Sequence, residues 1–369
     1  MQSRAEATGR AFLVAEAGVN HNGSVDLALR LVDAAADAGA DAVKFQTFRA
    51  EQVISVSAPK AEYQKTSTGA DTSQLEMVRR LQLDDEAHQR ISSHCTARGI
   101  EFISTPFDSH SVGLLQRLGV RWLKIASGEI TNAPFLLEVA RTGKPLVVST
   151  GMSTISEVRA ALGVIAFGYL ERLEPSREAF AEAFVSSQGQ RALQDNVVLL
   201  HCTSDYPASP SEANLRAMDT LRSEFGLPVG LSDHTPGIVV AVAAAARGAC
   251  LIEKHLTLDR NMPGPDHRAS LEPQEFAALV AAVREAESAV GTPDKAPTAG
   301  ESKNRSVARR SLVALRDITA GEAFTAENLG AKRPGGGLSP MLYWELLGQL
   351  ATRAYRADEP IEAAITARQ

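Results

Sequence analysis

Short runs rich in Val, Ile, Leu and Phe recur along the chain, with segments of helical period between them. AFLVAE (11–16) is followed by VDLALRLVDAAADAG and then by DAVKFQT (41–47), which reads as strand, helix, strand. IEFISTP (100–106), RWLKIAS (121–127), PLVVSTG (145–151), NVVLLHC (196–202), PVGLSDH (228–234) and ACLIEKH (249–255) continue the series to about eight strands. The runs are nearly continuous in apolar residues rather than alternating, as expected of parallel strands covered by helices. A closed (β/α)₈ barrel and an open doubly wound sheet both meet that condition. The polar residues favour the TIM barrel, because they collect where the C-terminal strand ends converge on one mouth: Glu16, Lys44 with Gln46, Thr105, Lys124 with Ser127, Ser149 with Thr150, His201, Ser232 to His234, and Glu253 with His255.

Two stretches interrupt the alternation. Residues 50–74 are too polar and turn-rich for one helix and read as a long loop over the mouth after the second strand. Residues 151–195 exceed one crossover helix and read as an inserted helical excursion. The helix EPQEFAALVAAVREAESAV (272–290) closes a barrel domain over 1–290. TPDKAPTAGESKNRS, rich in Pro, Thr, Ser and charge, then predicts a linker over 291–306. A small, mostly irregular and β C-terminal domain over 307–369 follows, marginal alone and expected to dock on something.

Composition narrows the class. Hydrophobic residues make up 44% and charged residues 22% of 369, an ordinary globular balance that excludes a disordered or coiled-coil chain. Lys plus Arg number 38 against 44 Asp plus Glu, net −6, so no basic footprint for nucleic acid is present. Cys95, Cys202 and Cys250 are few and widely spaced, which argues against a disulfide framework and for a reducing compartment. The start MQSRAEATGR lacks a signal-peptide core, and the run Ile238 to Ala246 is too short to span a bilayer. The expectation is a soluble, cytoplasmic protein with no membrane partner.

His234 and His255 end the last two strands, neighbours in a barrel, so their imidazoles could share a metal ion or could each satisfy a hydrogen bond. Lys44 and Lys124 lie within strands, where a lysine is costly unless it meets an anion at the mouth. Lys254 has the opposite parity to His255, and solvent or a helix carboxylate would serve it equally. Ser127, Ser149, Thr150, Gly128 and Gly151 could offer hydroxyls and backbone N–H groups to a phosphate. Glu16 and Glu129 suit proton transfer or sugar hydroxyls, or could pair with a lysine. His201 reads as packing. The PGGG at 334–337 lacks the strand and helix of a dinucleotide fingerprint.

With these residues in place, the chain closely resembles the sialic acid synthase family, the phosphoenolpyruvate (PEP)-dependent synthases of nine-carbon acidic sugars. AEAGVNHNGS (15–24), AVKFQTF (42–48), STPFD (104–108), KIASGE (124–129), STGM (149–152), YPASP (206–210), GLSDHT (230–235) and EKHLTLDRNMPGPDHRASLEP (253–273) look like its motifs in order. KRPGGGLSP (332–340) resembles its small antifreeze-like (SAF) domain. The resemblance implies a divalent metal, Mn²⁺ or else Mg²⁺ or Co²⁺, on His234 and His255. It places PEP contacts on Lys44, Thr105, Lys124, Ser127, Ser149 and Ser232. Sugar-side acids fall on Glu16, Glu129 and Asp266, with Gln46 and Tyr206 nearby, and Ser204 stands where some members have Asn. It further implies a domain-swapped homodimer in which Arg333 reaches the partner's sugar site.

The reaction implied is condensation of PEP with an open-chain N-acetylmannosamine-type aldehyde, with phosphate release. Lys124 would steady the charges, Glu129 move the proton or activate water, and Glu16 orient the sugar. The alternative acceptor is 2,4-diacetamido-2,4,6-trideoxymannose, which gives a legionaminic acid. The rivals are a PEP aldol synthase for a phosphorylated aldose such as arabinose 5-phosphate, a metal-dependent hydrolase and a non-catalytic carbohydrate-binding protein.

Overall fold

The computed structural model describes residues 10–61, 64–65 and 72–362. The N-terminal start, the end of the C-terminal domain and part of the loop expected over 50–74 lie outside the described residues. The chain divides into two units, Met1–Gly291 and Thr292–Gln369.

The first unit is built on eight strands: β1 (Phe12–Gly18), β2 (Ala42–Thr47), β3 (Glu101–Pro106), β4 (Leu123–Ile125), β5 (Leu146–Ser149), β6 (Val197–Cys202), β7 (Val229–Asp233) and β8 (Leu251–His255). They form one parallel sheet in the order β3-β2-β1-β8-β7-β6-β5-β4. β3 and β4 lie adjacent at the seam without a ladder, so the sheet is a nearly closed TIM-type barrel. Each strand occupies a run expected from the sequence.

The period-2 parity of the strands divides the barrel's residues between two environments. Leu13, Val43, Phe45, Leu123, Ile125, Val148, Leu199, Leu231 and Ile252 belong to the large core that includes the surrounding helices. The other parity faces the lumen, where Phe12, Val14, Ala42, Ile103, Trp122, Val147, Val198, Leu200 and Leu251 form a separate apolar layer. Continuing each lumen series by two residues gives Glu16, Lys44, Thr105, Lys124, Ser149, Cys202 and Glu253. The dry layer is therefore the bed on which the polar layer rests. At Gly230 the β8 backbone approaches so closely that a Cβ would lie 2.3 Å from the Leu251 carbonyl oxygen.

The insertion at 151–195 is helical, with helices Ile155–Tyr169, Arg177–Val185 and Ser187–Asn196. Thr154 and Glu157 start the first with a reciprocal capping box, and Phe167 meets Phe180 edge-on at 5.1 Å. Part of the stretch expected to be a flexible linker is a helix, Ala299–Ala308, because Thr298 and Glu301 supply a capping box within the polar composition. The second unit pairs β9 (Ser311–Ala314) with β10 (Leu329–Lys332) antiparallel, over a core that includes Leu312, Ile318, Phe324, Leu329 and Tyr355. Among the described residues no helix is long and apolar enough to cross a membrane.

Candidate active site

At the C-terminal mouth of the barrel a cavity of about 470 Å³ opens above the polar layer, a size typical of small-molecule sites. Its floor is an alternation of buried charges. Lys44 Nζ lies 2.8 Å from Glu16 Oε2 and donates to Thr105 Oγ1 at 3.1 Å. Lys124 Nζ donates to Ser149 Oγ at 2.7 Å and to the Ile125 carbonyl at 3.3 Å. Glu253 stands between the two lysines, 3.7 Å from each ammonium, and accepts from Ser232 Oγ at 2.9 Å. The strand register brings these groups to one level, with Glu16 opposite Lys44 and Ser232 opposite Glu253.

Burial and neighbours set the protonation of this floor. Burial pushes the Glu16 carboxyl up to about 7 against the pull of Lys44, and the Glu253 charge adds to the rise. Burial also opposes ionisation of Glu253, but Lys124 and Lys44 outweigh it and hold that carboxyl below its ordinary range. Lys44 is likewise desolvated, yet Glu16 and Glu253 raise it, whereas burial prevails at Lys124 and lowers it. Two ammonium groups thus face one firmly ionised carboxylate and one that titrates near neutrality, an arrangement suited to an anion with several negative oxygens.

On one side of the cavity Glu16, Gln46 and Asp266 converge. A Cβ placed on Gly18 (φ +51) would come within 3.3 Å of Glu16 Oε1 and 3.6 Å of both Asp266 Oδ2 and Gln46 Nε2. Burial pushes Asp266 up to about 6. Ser127 and Ser204 crowd Gly151, where a Cβ would lie 2.8 and 2.3 Å from their hydroxyl oxygens, and the Gly151 N–H donates to Ser127 Oγ at 3.0 Å.

The imidazoles of His234 and His255 are edge-on with centroids 5.4 Å apart, and the Tyr206 ring lies 4.2 Å from the first and 5.7 Å from the second. His234 directs Nδ1–H to the Thr203 carbonyl at 2.7 Å, which leaves Nε2 as the atom available to a metal; burial opposes charge on this ring, but Cys202 and the Thr203 carbonyl outweigh it and raise its pKa. His255 Nδ1 is buried without a hydrogen-bond partner, and burial holds this ring's pKa well below the usual value. Two buried imidazoles on adjacent strand ends, one with an orphaned nitrogen, fit a divalent ion, whose binding would displace any proton on the ligating nitrogen of His234. Among the described residues no group of three or more His, Cys, Asp or Glu side chains could hold a metal, so an ion held here by His234 and His255 would need water or substrate to complete its shell.

Most residues singled out from the sequence therefore meet at this cavity: Glu16, Lys44, Gln46, Thr105, Lys124, Ser127, Tyr206, Ser232, His234, His255 and Asp266 line it, with Ser149 hydrogen-bonded beneath. Glu129 does not line it. The 3-10 turn Ser127–Glu129 carries Ser127 and Gly128 to the cavity and leaves the Glu129 carboxylate outside, accepting from Asn132 Nδ2 at 2.7 Å. Arg333 lies exposed in the second unit. Lys254, expected at solvent or a helix carboxylate, is fully buried and pairs with Asp233 of the next strand at 2.8 Å, because both have the outward parity. His201 bonds the Ala213 carbonyl through Nε2, in keeping with a packing role. Glu253 was missed as a site residue, although its parity, shared with His255 two residues on, marked it as facing the lumen.

The chain matches the NeuB family over residues 31–295 and the SAF domain over 309–364. It is 47% identical over 352 residues to the N,N'-diacetyllegionaminic acid synthase of Campylobacter jejuni, covering 95% of this chain and 99% of that one. The synthase of the same description from Legionella pneumophila is 45% identical, over 91% and 89% of the two chains. The crystal structure of an N-acetylneuraminic acid (sialic acid) synthetase from Leptospira borgpetersenii superposes with a TM-score of 0.64 at 32% identity, covering 80% and 90%.

Proposed function

The chain belongs to the NeuB family, and from that premise we propose that it is an N,N'-diacetyllegionaminic acid synthase, condensing PEP with 2,4-diacetamido-2,4,6-trideoxymannose and releasing phosphate. The relatives reverse the order of the two acceptors weighed from sequence, since two that match nearly end to end carry the legionaminic description. The observation that carries the chemistry is the floor, where Lys44 and Lys124, both buried, share Glu253 and are backed by Thr105, Ser149 and Ser232.

Lys44 and Lys124 bind the phosphate and carboxylate of PEP in a recess that excludes water, where their charges act at short range. The serine hydroxyls, Ser127 among them, fix its orientation. The aldehyde carbon is held against the PEP methylene by Gln46, Asp266 and Tyr206 through the sugar hydroxyls. His234 and His255 would hold a divalent ion, Mn²⁺ by ligand type, which supplies Lewis-acid polarisation of the aldehyde oxygen. The PEP methylene carbon forms the new C–C bond and the aldehyde oxygen gains a proton. Water adds to the former enol carbon, and the C–O bond to phosphate breaks to leave the keto acid. Glu16 is the proton-transfer group on the cavity wall, and its pKa of about 7 lets it take a proton from that water and return it at neutral pH. Glu129, which accepts from Asn132 beside the lining residues Ser127 and Gly128, is kept as the alternative proton-transfer group.

A phosphorylated aldose would need further cations, yet among the described residues lining the cavity Lys44 and Lys124 supply all the lysine and arginine charge. A purely binding role leaves the buried acids and bases of the floor without a use. The enzyme would act in the cytoplasm, consistent with Cys95, Cys202 and Cys250 forming no disulfide, and as a domain-swapped homodimer presenting Arg333 to the partner's cavity. The test is phosphate release by the Mn²⁺-loaded protein with PEP and, in turn, the trideoxy sugar, N-acetylmannosamine, its 6-phosphate and arabinose 5-phosphate. Fastest turnover with the trideoxy sugar is expected. Turnover with arabinose 5-phosphate alone, or with nothing, would overturn the reading.

A further inference from the structure

The cavity has two unlike sides. Beyond the Glu16, Gln46 and Asp266 cluster, the chain after β2 contributes a wall in which Phe48 and Leu81 are buried together with Val19, and Val53, Val78 and Phe107 pack against them. Phe48 and Phe107 meet edge-on at 6.4 Å, so this wall is already packed. Its main element is the helix Gln74–Leu81, started by a reciprocal Ser73–Glu76 capping box. Gln74, Met77, Val78 and Leu81 all line the cavity, and their spacing of three, four and seven residues places them on one helix face. The stripe thus begins with one amide and continues with three apolar side chains.

The strand-borne floor takes PEP, so the aldehyde end of the acceptor sits low in the mouth and its far carbons extend toward the loop-borne wall. We propose that the inner stripe of this helix selects the acceptor: Met77, Val78 and Leu81 take the terminal methyl group of a 6-deoxy sugar, and Gln74 hydrogen-bonds its second acetamido group. The inference rests on the synthase reading above and adds the residues that choose between two acceptors of that reaction. N-acetylmannosamine carries a hydroxymethyl group where the trideoxy sugar has a methyl, and a hydroxyl where it has an acetamido group. A hydroxyl brought against Met77 and Val78 would be desolvated without a partner, and Gln74 would lose its amide contact. Apolar pockets reject an added hydroxyl by roughly tenfold to a few hundredfold in kcat/KM, and a lost polar contact increases the ratio.

The experiment measures kcat/KM by phosphate release for both sugars, in the full-length Mn²⁺-loaded protein and in Val78→Thr and Gln74→Leu. The unaltered protein is expected to prefer the trideoxy sugar by at least about tenfold. Val78→Thr, which keeps the volume and offers a hydroxyl, should narrow that ratio about tenfold, through a gain with N-acetylmannosamine and a loss with the trideoxy sugar. Gln74→Leu should lower kcat/KM for the trideoxy sugar about tenfold, through the acceptor's KM, with KM for PEP unmoved. Gln74 is only half-buried at the helix start, so this variant carries the test if threonine at 78 impairs folding. A ratio that neither variant changes would overturn the proposal while leaving the synthase reading intact, and a preference for N-acetylmannosamine would overturn the proposal together with the choice of acceptor, leaving only the PEP condensation standing. No phosphate release with either sugar would overturn both.

Discussion

Replacing Glu253 with Gln removes the carboxylate that faces both floor lysines, and the distances set its cost. Each ammonium lies 3.7 Å from a Glu253 oxygen, which at an effective dielectric of about 20 is about 4.5 kcal/mol of Coulomb attraction per pair. Desolvation offsets much of that, and deleting one partner of a buried pair costs about 3–5 kcal/mol of folding stability. Lys44 keeps Glu16 at 2.8 Å, whereas Lys124 is left with the Ser149 hydroxyl and the Ile125 carbonyl. Burial already lowers Lys124 despite Glu253, so losing the carboxylate lowers it further. A lysine whose folded pKa lies below its unfolded one favours the folded state when neutral. The deficit is therefore largest at the acid end and shrinks as pH rises through the lowered pKa of Lys124. The assay is denaturant unfolding of variant and parent between about pH 6 and pH 9, with and without PEP, whose negative oxygens take the place of the missing carboxylate. The variant should gain more from PEP than the parent does. A deficit below about 1 kcal/mol that is flat in pH would refute the view that Glu253 holds the two lysines together.

Three further outcomes test other parts of the site. Glu16 titrates near 7, so kcat/KM should rise with pH as this carboxyl ionises, and Glu16→Gln should abolish that limb of the profile; an unchanged limb would assign the proton transfer elsewhere. His255→Ala removes the orphaned buried nitrogen and should weaken Mn²⁺ binding in equilibrium dialysis by at least about tenfold, with intact affinity counting against the two-histidine site. Gly151→Ala would place a methyl 2.3 Å from Ser204 Oγ and 2.8 Å from Ser127 Oγ. Both hydroxyls must move, so KM for PEP should rise about tenfold or more, and an unaltered KM would show that they do not orient it.

What the sequence revealed follows from strand parity. Parallel strands covered by helices leave apolar runs, and the polar residues at their ends mark the mouth, which is why eight strands and the polar side of the cavity lining were legible. Glu253 stood among the polar strand-end residues without a role, because only the packed barrel shows that Lys44 and Lys124 both come within 3.7 Å of it. Lys254 shows the same point from the other face: its partner Asp233 is on the neighbouring strand, and register alone brings the two together. Glu129 belongs to a motif but follows β4 by a 3-10 turn, whose direction a motif does not encode. The stripe on Gln74–Leu81 lies beside a polar stretch read as loop, and the capping box that starts this helix sits at the edge of that stretch.

The central claim is that this cavity joins PEP to an aldose and frees phosphate by breaking the C–O bond. Mass spectrometry of both products after reaction with PEP labelled with ¹⁸O at the bridging oxygen tests it most directly. The account predicts the label in inorganic phosphate and an unlabelled nine-carbon keto acid whose mass equals the trideoxy sugar plus pyruvate. Label retained in the organic product, or pyruvate released with the sugar recovered unchanged, would contradict it.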